Sequence, residues 1–206
     1  MRFRPTIVVP AAGRGSRFGG PLHKLEQEFA GSTVLGITVR RAIETQLPVV
    51  VVTTAALAPL VGRQLAKRDI VVLSDDEARR GMGASIAAGV VERSGAPGWL
   101  VLPGDMPLVR PDSILAVASA LEHHAVVFAQ HRGRRGHPVG FAAELYSELV
   151  LLSSDDGARR VMLRYPAHGE EVDDSGVLLD VDTQPDLDVM RQKHAGSAPA
   201  ARQVVR

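Results

Sequence analysis

The sequence predicts a single-domain, doubly wound α/β fold, and two features of the chain carry that expectation. Short apolar, β-branched runs recur at 6–9 (TIVV), 49–53 (VVVVT), 70–73 (IVVL), 99–102 (WLVL) and 125–129 (AVVFA). They are apolar on both faces, as strands of a parallel sheet covered on both sides must be. Between them lie helix-like stretches at 34–45, 56–67, 84–92 and 112–121. Ser32-Thr33 and Pro111-Asp112 supply plausible helix starts for two of these. Alternation of strands and helices at this spacing is the pattern of an α/β sheet.

After residue 130 the rhythm changes. The stretch HRGRRGHP reads as a loop, 142–152 as a helix, 155–163 as a short helix and 177–181 as a late strand. From His194 onward the chain is rich in Ala, Pro, Gly and Arg without periodicity, so the domain is expected to span 1–193 and 194–206 to be a disordered tail. No internal repeat and no linker interrupts the 206 residues, a length that supports one ordinary core.

Composition excludes several classes. The formal net charge of +1 gives no global electrostatic case for nucleic acid or an anionic membrane. The absence of cysteine removes disulfides, thiolate catalysis and Cys-ligated metals. The N-terminal apolar stretch is too short for a signal-peptide core and no run reaches membrane-spanning length, so a cytoplasmic protein is expected.

The chemistry begins where the first strand ends. PAAGRGSRFGGPLHKL (10–25) is a glycine-rich loop carrying Arg14, Arg17 and Lys24 at the carboxyl end of a buried strand. Glycines let backbone approach a ligand and expose N–H donors, and strand carboxyl ends are where such sheets bind ligands. The loop matches neither the dinucleotide fingerprint G-x-G-x-x-G nor the P-loop G-x-x-x-x-G-K-[ST]. The second strand also lacks a closing acidic residue, ending Thr53-Thr54. Both points argue against a dinucleotide-dependent oxidoreductase. Glycine content by itself serves a solvated surface turn as well as a phosphate cradle. Asp105, in LPGDMPLV, follows a buried strand; alone it is equally a hard-cation ligand or a turn cap. Asp182, in LLDVDTQPDL, again follows an apolar run, with Asp180 two residues earlier as the alternative ligand and Asp186 assigned to the following helix.

The first loop resembles the signature of nucleotidyltransferases that activate sugar phosphates and cofactors. GMGASIAAGV (81–90), LPGDMPLV (102–109), GRRGHPVGF (133–141) with DDGARRVM (155–162), and LLDVDTQPDL (178–187) resemble one branch, the molybdenum cofactor cytidylyltransferases and related molybdopterin-guanine-dinucleotide synthases, in the same order. The resemblance implies a Rossmann-like three-layer α/β/α fold of the nucleotide-diphospho-sugar transferase type, with a mixed, mostly parallel sheet. It implies a nucleotide site of Ala11, Ala12, Gly13, Arg14, Gly15, Arg17, Lys24, Gly81, Ser85 and Gly104. Arg17 would face the leaving β- and γ-phosphates, and Lys24 would neutralise charge at the α-phosphorus. Asp105 and Asp182 would hold Mg²⁺, making Lys24, Arg17 and Asp105 the catalytic set. Arg135, His137 and Asp156 would receive the acceptor, molybdopterin, within a cationic cluster that includes Arg134. Serines are common in this family where Gly83-Ala84 stand here, and methionine where Phe18 stands. Ala-Ala-Gly at 11–13 resembles the cytidylyl branch and implies CTP as donor; the guanylyl branch usually has a second glycine where Ala12 stands. The implied client is a molybdenum hydroxylase. A guanylyltransferase, another small-phosphate transferase or a non-catalytic cofactor carrier are the alternatives. His23 has no assignment, and His123-His124 lack the carboxylate pattern of a metal pair.

Overall fold

The computed structural model describes residues 3–19, 21–153 and 157–197. Its centre is a seven-stranded sheet built from β1 (Thr6–Ala11), β4 (Val49–Thr54), β5 (Ile70–Leu73), β6 (Gly98–Val101), β7 (Val126–His131), β8 (Arg134–Ala142) and β9 (Ala167–Glu171). The strand order is β5-β4-β1-β6-β8-β7-β9. Pairing is parallel except on both sides of β8, which runs antiparallel to β6 and to β7. The sheet is therefore mixed and mostly parallel, as expected. A small antiparallel pair, β2 (Glu28–Phe29) and β3 (Ser32–Thr33), sits apart from it.

Side-chain alternation sorts the core into two layers. Ile7, Val9, Val49, Val51, Leu100 and Val127 face α1 (Val34–Glu44), α4 (Pro111–Ala120) and α7 (Gln184–Ser197). Val8, Val50, Val52, Trp99, Val101 and Phe141 face α3 (Met82–Glu92), α5 (Tyr146–Leu149) and α6 (Gly157–Arg164). The period-two pattern of each strand thus feeds helices on both faces. Contact with β1 is closest at Gly89 of α3, where an added Cβ would lie 2.5 Å from Val8 Cγ1 and 3.1 Å from Val52 Cγ2. Gly89→Ala should lower unfolding free energy by about 1–2 kcal/mol despite the better helix propensity of alanine, because both valines are fully buried and branched. Urea unfolding followed by the fluorescence of the single Trp99 reads this; equal or higher stability would refute it.

Five expectations need correction. Residues 56–67 do not form a helix: Pro59 lacks an N–H and Gly62 follows, leaving a 3-10 turn at Ala58–Leu60 and isolated turns after it. HRGRRGHP is not a loop. Arg132 (φ 51°) and Gly133 (φ 74°) make a two-residue hairpin turn, and Arg134 begins the nine-residue β8. Residues 177–181 form no strand; a 3-10 turn at Ser175–Leu178 leads into the acid-bearing segment. His194 is not in a disordered tail, since α7 continues to Ser197 and the His194 ring packs 5.4 Å from that of Phe29. Of the helix expected over 142–152, only a 3-10 turn at Ala143–Leu145 and the short α5 form. The short α2 (Asp75–Ala78), capped reciprocally by Ser74 and Glu77, was not anticipated.

Candidate active site

β1 delivers the glycine-rich loop to the carboxyl edge of the sheet. A cleft of about 670 Å³ opens there, within the range of small-molecule sites. Its lining includes Ala11, Ala12, Gly13, Arg14, Gly15, Arg17, Lys24, Gly81, Ser85, Gly104, Asp105 and Asp182, so every residue assigned to the nucleotide, together with both assigned metal ligands, meets in one cavity.

The loop is pinned by His23, which the sequence left unassigned. Its Nε2 donates to the Gly13 carbonyl at 2.8 Å, and its Nδ1 accepts from Leu25 N–H at 3.1 Å. A carbonyl accepts only, so this pattern fixes the neutral Nε2–H tautomer. Glu26 closes a capping box by accepting from the His23 N–H. The imidazole thus ties the start of the loop to the turn that carries Lys24. Gly15, at φ +61°, leaves no room for a side chain, since a Cβ would lie 3.0 Å from His23 Nε2.

On the cleft floor, Lys24 Nζ donates to Asp105 Oδ2 at 2.7 Å and to Asp182 Oδ1 at 3.0 Å. Its side chain is 13% exposed. Burial alone would lower the lysine pKa, but the two carboxylates outweigh it and hold the ammonium above its ordinary value. Arg17 Nη1 lies 2.7 Å from Asp182 Oδ2, with its side chain largely in solvent. Asp180 completes an acidic group in which one oxygen from each of Asp105, Asp180 and Asp182 lies within 4.8 Å of the others. Burial, then the charges of Asp105 and Asp182, raise the Asp180 carboxyl above its usual range.

The two acid-bearing segments are stitched together. Val181 N–H donates to the Asp105 carbonyl at 3.0 Å. Asp186 accepts from the Asp182 and Thr183 amides, which seats Asp182 at the start of α7 and holds the Asp186 carboxyl below its usual value, chiefly through the Thr183 hydroxyl. Asp105 Oδ1 is buried and has no hydrogen-bond partner among the described residues. A buried, orphaned carboxylate oxygen on a residue clustered with two further carboxylates fits a hard divalent cation, which takes oxygen ligands.

The acceptor assignments fare differently. Arg135 and His137 do not line the cleft. Arg135 stacks its guanidinium 4.1 Å from the Phe128 ring centroid. His137 sits beside a cis peptide to Pro138, and burial pushes its pKa down against the pull of Asp105. Asp156 lies outside the described residues. His124 stacks on His168 at 4.1 Å, away from the cleft lining. Arg79, at the end of α2, lines the cleft and was missed; the Ser-x-x-Glu box at 74–77 was the signal that places it at a helix end.

The family model of the MobA-like NTP transferase domain matches residues 7–171. The purine catabolism protein PucB of Bacillus subtilis (strain 168) is 31% identical over 200 residues, covering 90% of this chain and 95% of that protein. A probable molybdenum cofactor guanylyltransferase of Geobacillus sp. (strain WCH70) is 28% identical over 162 residues, 77% and 80% of the two chains. The crystal structure of Rv0371c from Mycobacterium tuberculosis H37Rv superposes with a TM-score of 0.80 at 27% identity, covering 93% of this chain and 99% of that one. The complex of Rv0371c with manganese superposes at 0.77 and 25% identity, covering 92% and 98%. No helix among the described residues is long and apolar enough to cross a membrane.

Proposed function

The chain belongs to the MobA-like NTP transferase domain family, and from that premise we propose that it moves CMP from CTP to the terminal phosphate of molybdopterin cofactor, releasing pyrophosphate. The observation that carries this reading is the Lys24 ammonium set between Asp105 and Asp182 on the floor of a cleft that gathers all the nucleotide-assigned residues. The name of the Geobacillus relative supports a molybdenum cofactor acceptor.

In this reading the glycine-rich loop turns its amides toward the triphosphate, and Ser85, at the start of α3, meets the ribose. An acceptor phosphate oxygen attacks the α-phosphorus; the new P–O bond forms as the bond to the β-phosphate oxygen breaks and pyrophosphate leaves. A phosphate oxyanion is already a nucleophile, so no base is required. The residues act by position and charge. Lys24 leaves its carboxylates to neutralise charge on the α-phosphoryl oxygens, and Arg17 does the same for the β- and γ-phosphates. Asp105 and Asp182, with Asp180 within reach, hold the divalent cation, which we assign as magnesium. When bound, that cation supplies further charge neutralisation for the triphosphate. Arg135, His137 and Asp156 are the assigned acceptor residues. A molybdenum hydroxylase is the assigned client.

Ala12 supports cytosine. It lines the cleft, is 2% exposed and belongs to the same apolar cluster as Val8 and Ile86, so its methyl cannot step aside for a purine. Pyrophosphate release measured with CTP, GTP or ATP, a divalent cation and molybdopterin is expected to be selective for CTP. Ala12→Gly should raise the GTP-to-CTP ratio of kcat/KM by about tenfold, the worth of one methyl in an apolar pocket. Selectivity of the wild type for GTP would overturn the cytidylyl assignment. No release with any nucleotide, beside tight cofactor binding, would leave a carrier.

A further inference from the structure

Asp174 is a buried carboxylate that takes no part in the chemistry above; it is 6% exposed. Its Oδ2 accepts from the Arg110 N–H at 2.8 Å and from Ser113 Oγ at 2.8 Å, and its Oδ1 accepts from the Gly176 N–H at 2.9 Å. Arg110 is the N-cap of α4 and Ser113 lies in its first turn; the helix follows the segment bearing Asp105. Gly176 lies in the Ser175–Leu178 turn that leads to Asp180 and Asp182, and Asp174 caps that turn.

The two segments meet closely around this carboxylate. A Cβ on Gly176 would lie 2.3 Å from the Leu108 carbonyl oxygen, and one on Gly136 of β8 would lie 2.2 Å from that of Val177. The Arg110 guanidinium also donates to the Asp173 carbonyl. Seven residues after Asp174, Val181 N–H reaches the Asp105 carbonyl. One carboxylate therefore joins the start of α4 to the 175–178 turn, on the path to both sets of acids.

We infer that Asp174 is a positioning residue for the cation-holding carboxylates: it sets the spacing of Asp105 against Asp180 and Asp182. The inference rests on the reading of those acids as cation ligands. Outer partners that fix ligand geometry typically change metal affinity ten- to a hundredfold when lost. Asparagine at 174 keeps the size of the side chain but turns an NH₂ toward the Arg110 or Gly176 amide, where two donors face each other.

The test is Mn²⁺ binding to the full chain, followed by the EPR signal of the free ion with and without CTP. Asp174→Asn is expected to weaken Mn²⁺ binding by about tenfold and to lower kcat while KM for CTP stays within about threefold. Ser113→Ala, which removes one donor, should shift Mn²⁺ affinity in the same direction by a smaller factor. It carries the test if Asp174→Asn does not fold. Leu149→Ala, in the opposite core layer, should lose thermal stability yet bind Mn²⁺ like the wild type. Wild-type affinity in both Asp174→Asn and Ser113→Ala, or an equal loss in Leu149→Ala, would overturn the inference and leave the cation site standing. Equal, negligible binding by wild type and Asp105→Ala would overturn the cation site itself, and the inference with it.

Discussion

Lys24→Met is expected to do two opposite things. Pyrophosphate release should fall by about 10²–10³ in kcat, the usual cost of losing one preorganised charge at a transition state. Mn²⁺ affinity measured without nucleotide should rise by roughly tenfold. In the free protein the ammonium occupies the space between Asp105 and Asp182, 2.7 and 3.0 Å from their oxygens. A cation arriving there must displace it or bear its repulsion, worth a few kcal/mol at the effective dielectric of a partly buried site. Methionine keeps the length of the stem and removes the charge. Melting temperature should drop in metal-free buffer, where three carboxylates lose a common counter-ion, and recover more steeply with Mn²⁺ than in the wild type. Unchanged or weaker Mn²⁺ binding would show that Lys24 does not compete for the site.

Asp105→Ala is expected to abolish measurable turnover, a loss of about 10³ or more, while CTP binding in metal-free buffer changes by only a few-fold. This side chain holds Lys24 through Oδ2, and its Oδ1 is buried without a hydrogen-bond partner among the described residues. Removing it deprives the cation of one ligand and the lysine of its closer partner at once. Mn²⁺ binding should vanish in the same variant. Turnover within about fivefold of wild type would sink the assignment of Asp105 as a ligand.

These two residues also mark what the sequence made legible. The first loop could be read because a strand apolar on both faces ends abruptly in glycines and cations, a combination that suits an anion at the carboxyl edge of a sheet. Asp105 and Asp182 were legible as single carboxylates after apolar runs, of which only the first is a strand; that one lysine joins them depends on approach in space, which spacing along a chain does not encode. β8 was hidden by its own composition. Pro138 and Gly136 argue against a central strand, but both fall where the pairing with β7 shifts register between Phe128 and Gln130. Gly136 and Gly140 are there because Val177, Leu100 and Leu121 leave no space for a Cβ. β9, AHGEE, has no branched or aromatic residue and pairs only on one side; its Gly169 admits Phe128 and Gln130. His23 was missed because its role is a hydrogen bond to a carbonyl ten residues back, which no residue-type pattern signals.

The Lys24 contacts have a consequence for synthesis as well as for catalysis. Its partners come 81 and 158 residues later in the chain. Closing loops of that length is entropically slow, and contacts of that separation form late. β1, β4, β5 and β6 are all translated before Asp105, so much of the parallel sheet can be assembled while the acidic cluster is still missing two of its three members. A nascent chain that has not yet delivered residues 180–182 therefore lacks two of the three acids of the cation site, and competence waits for that segment.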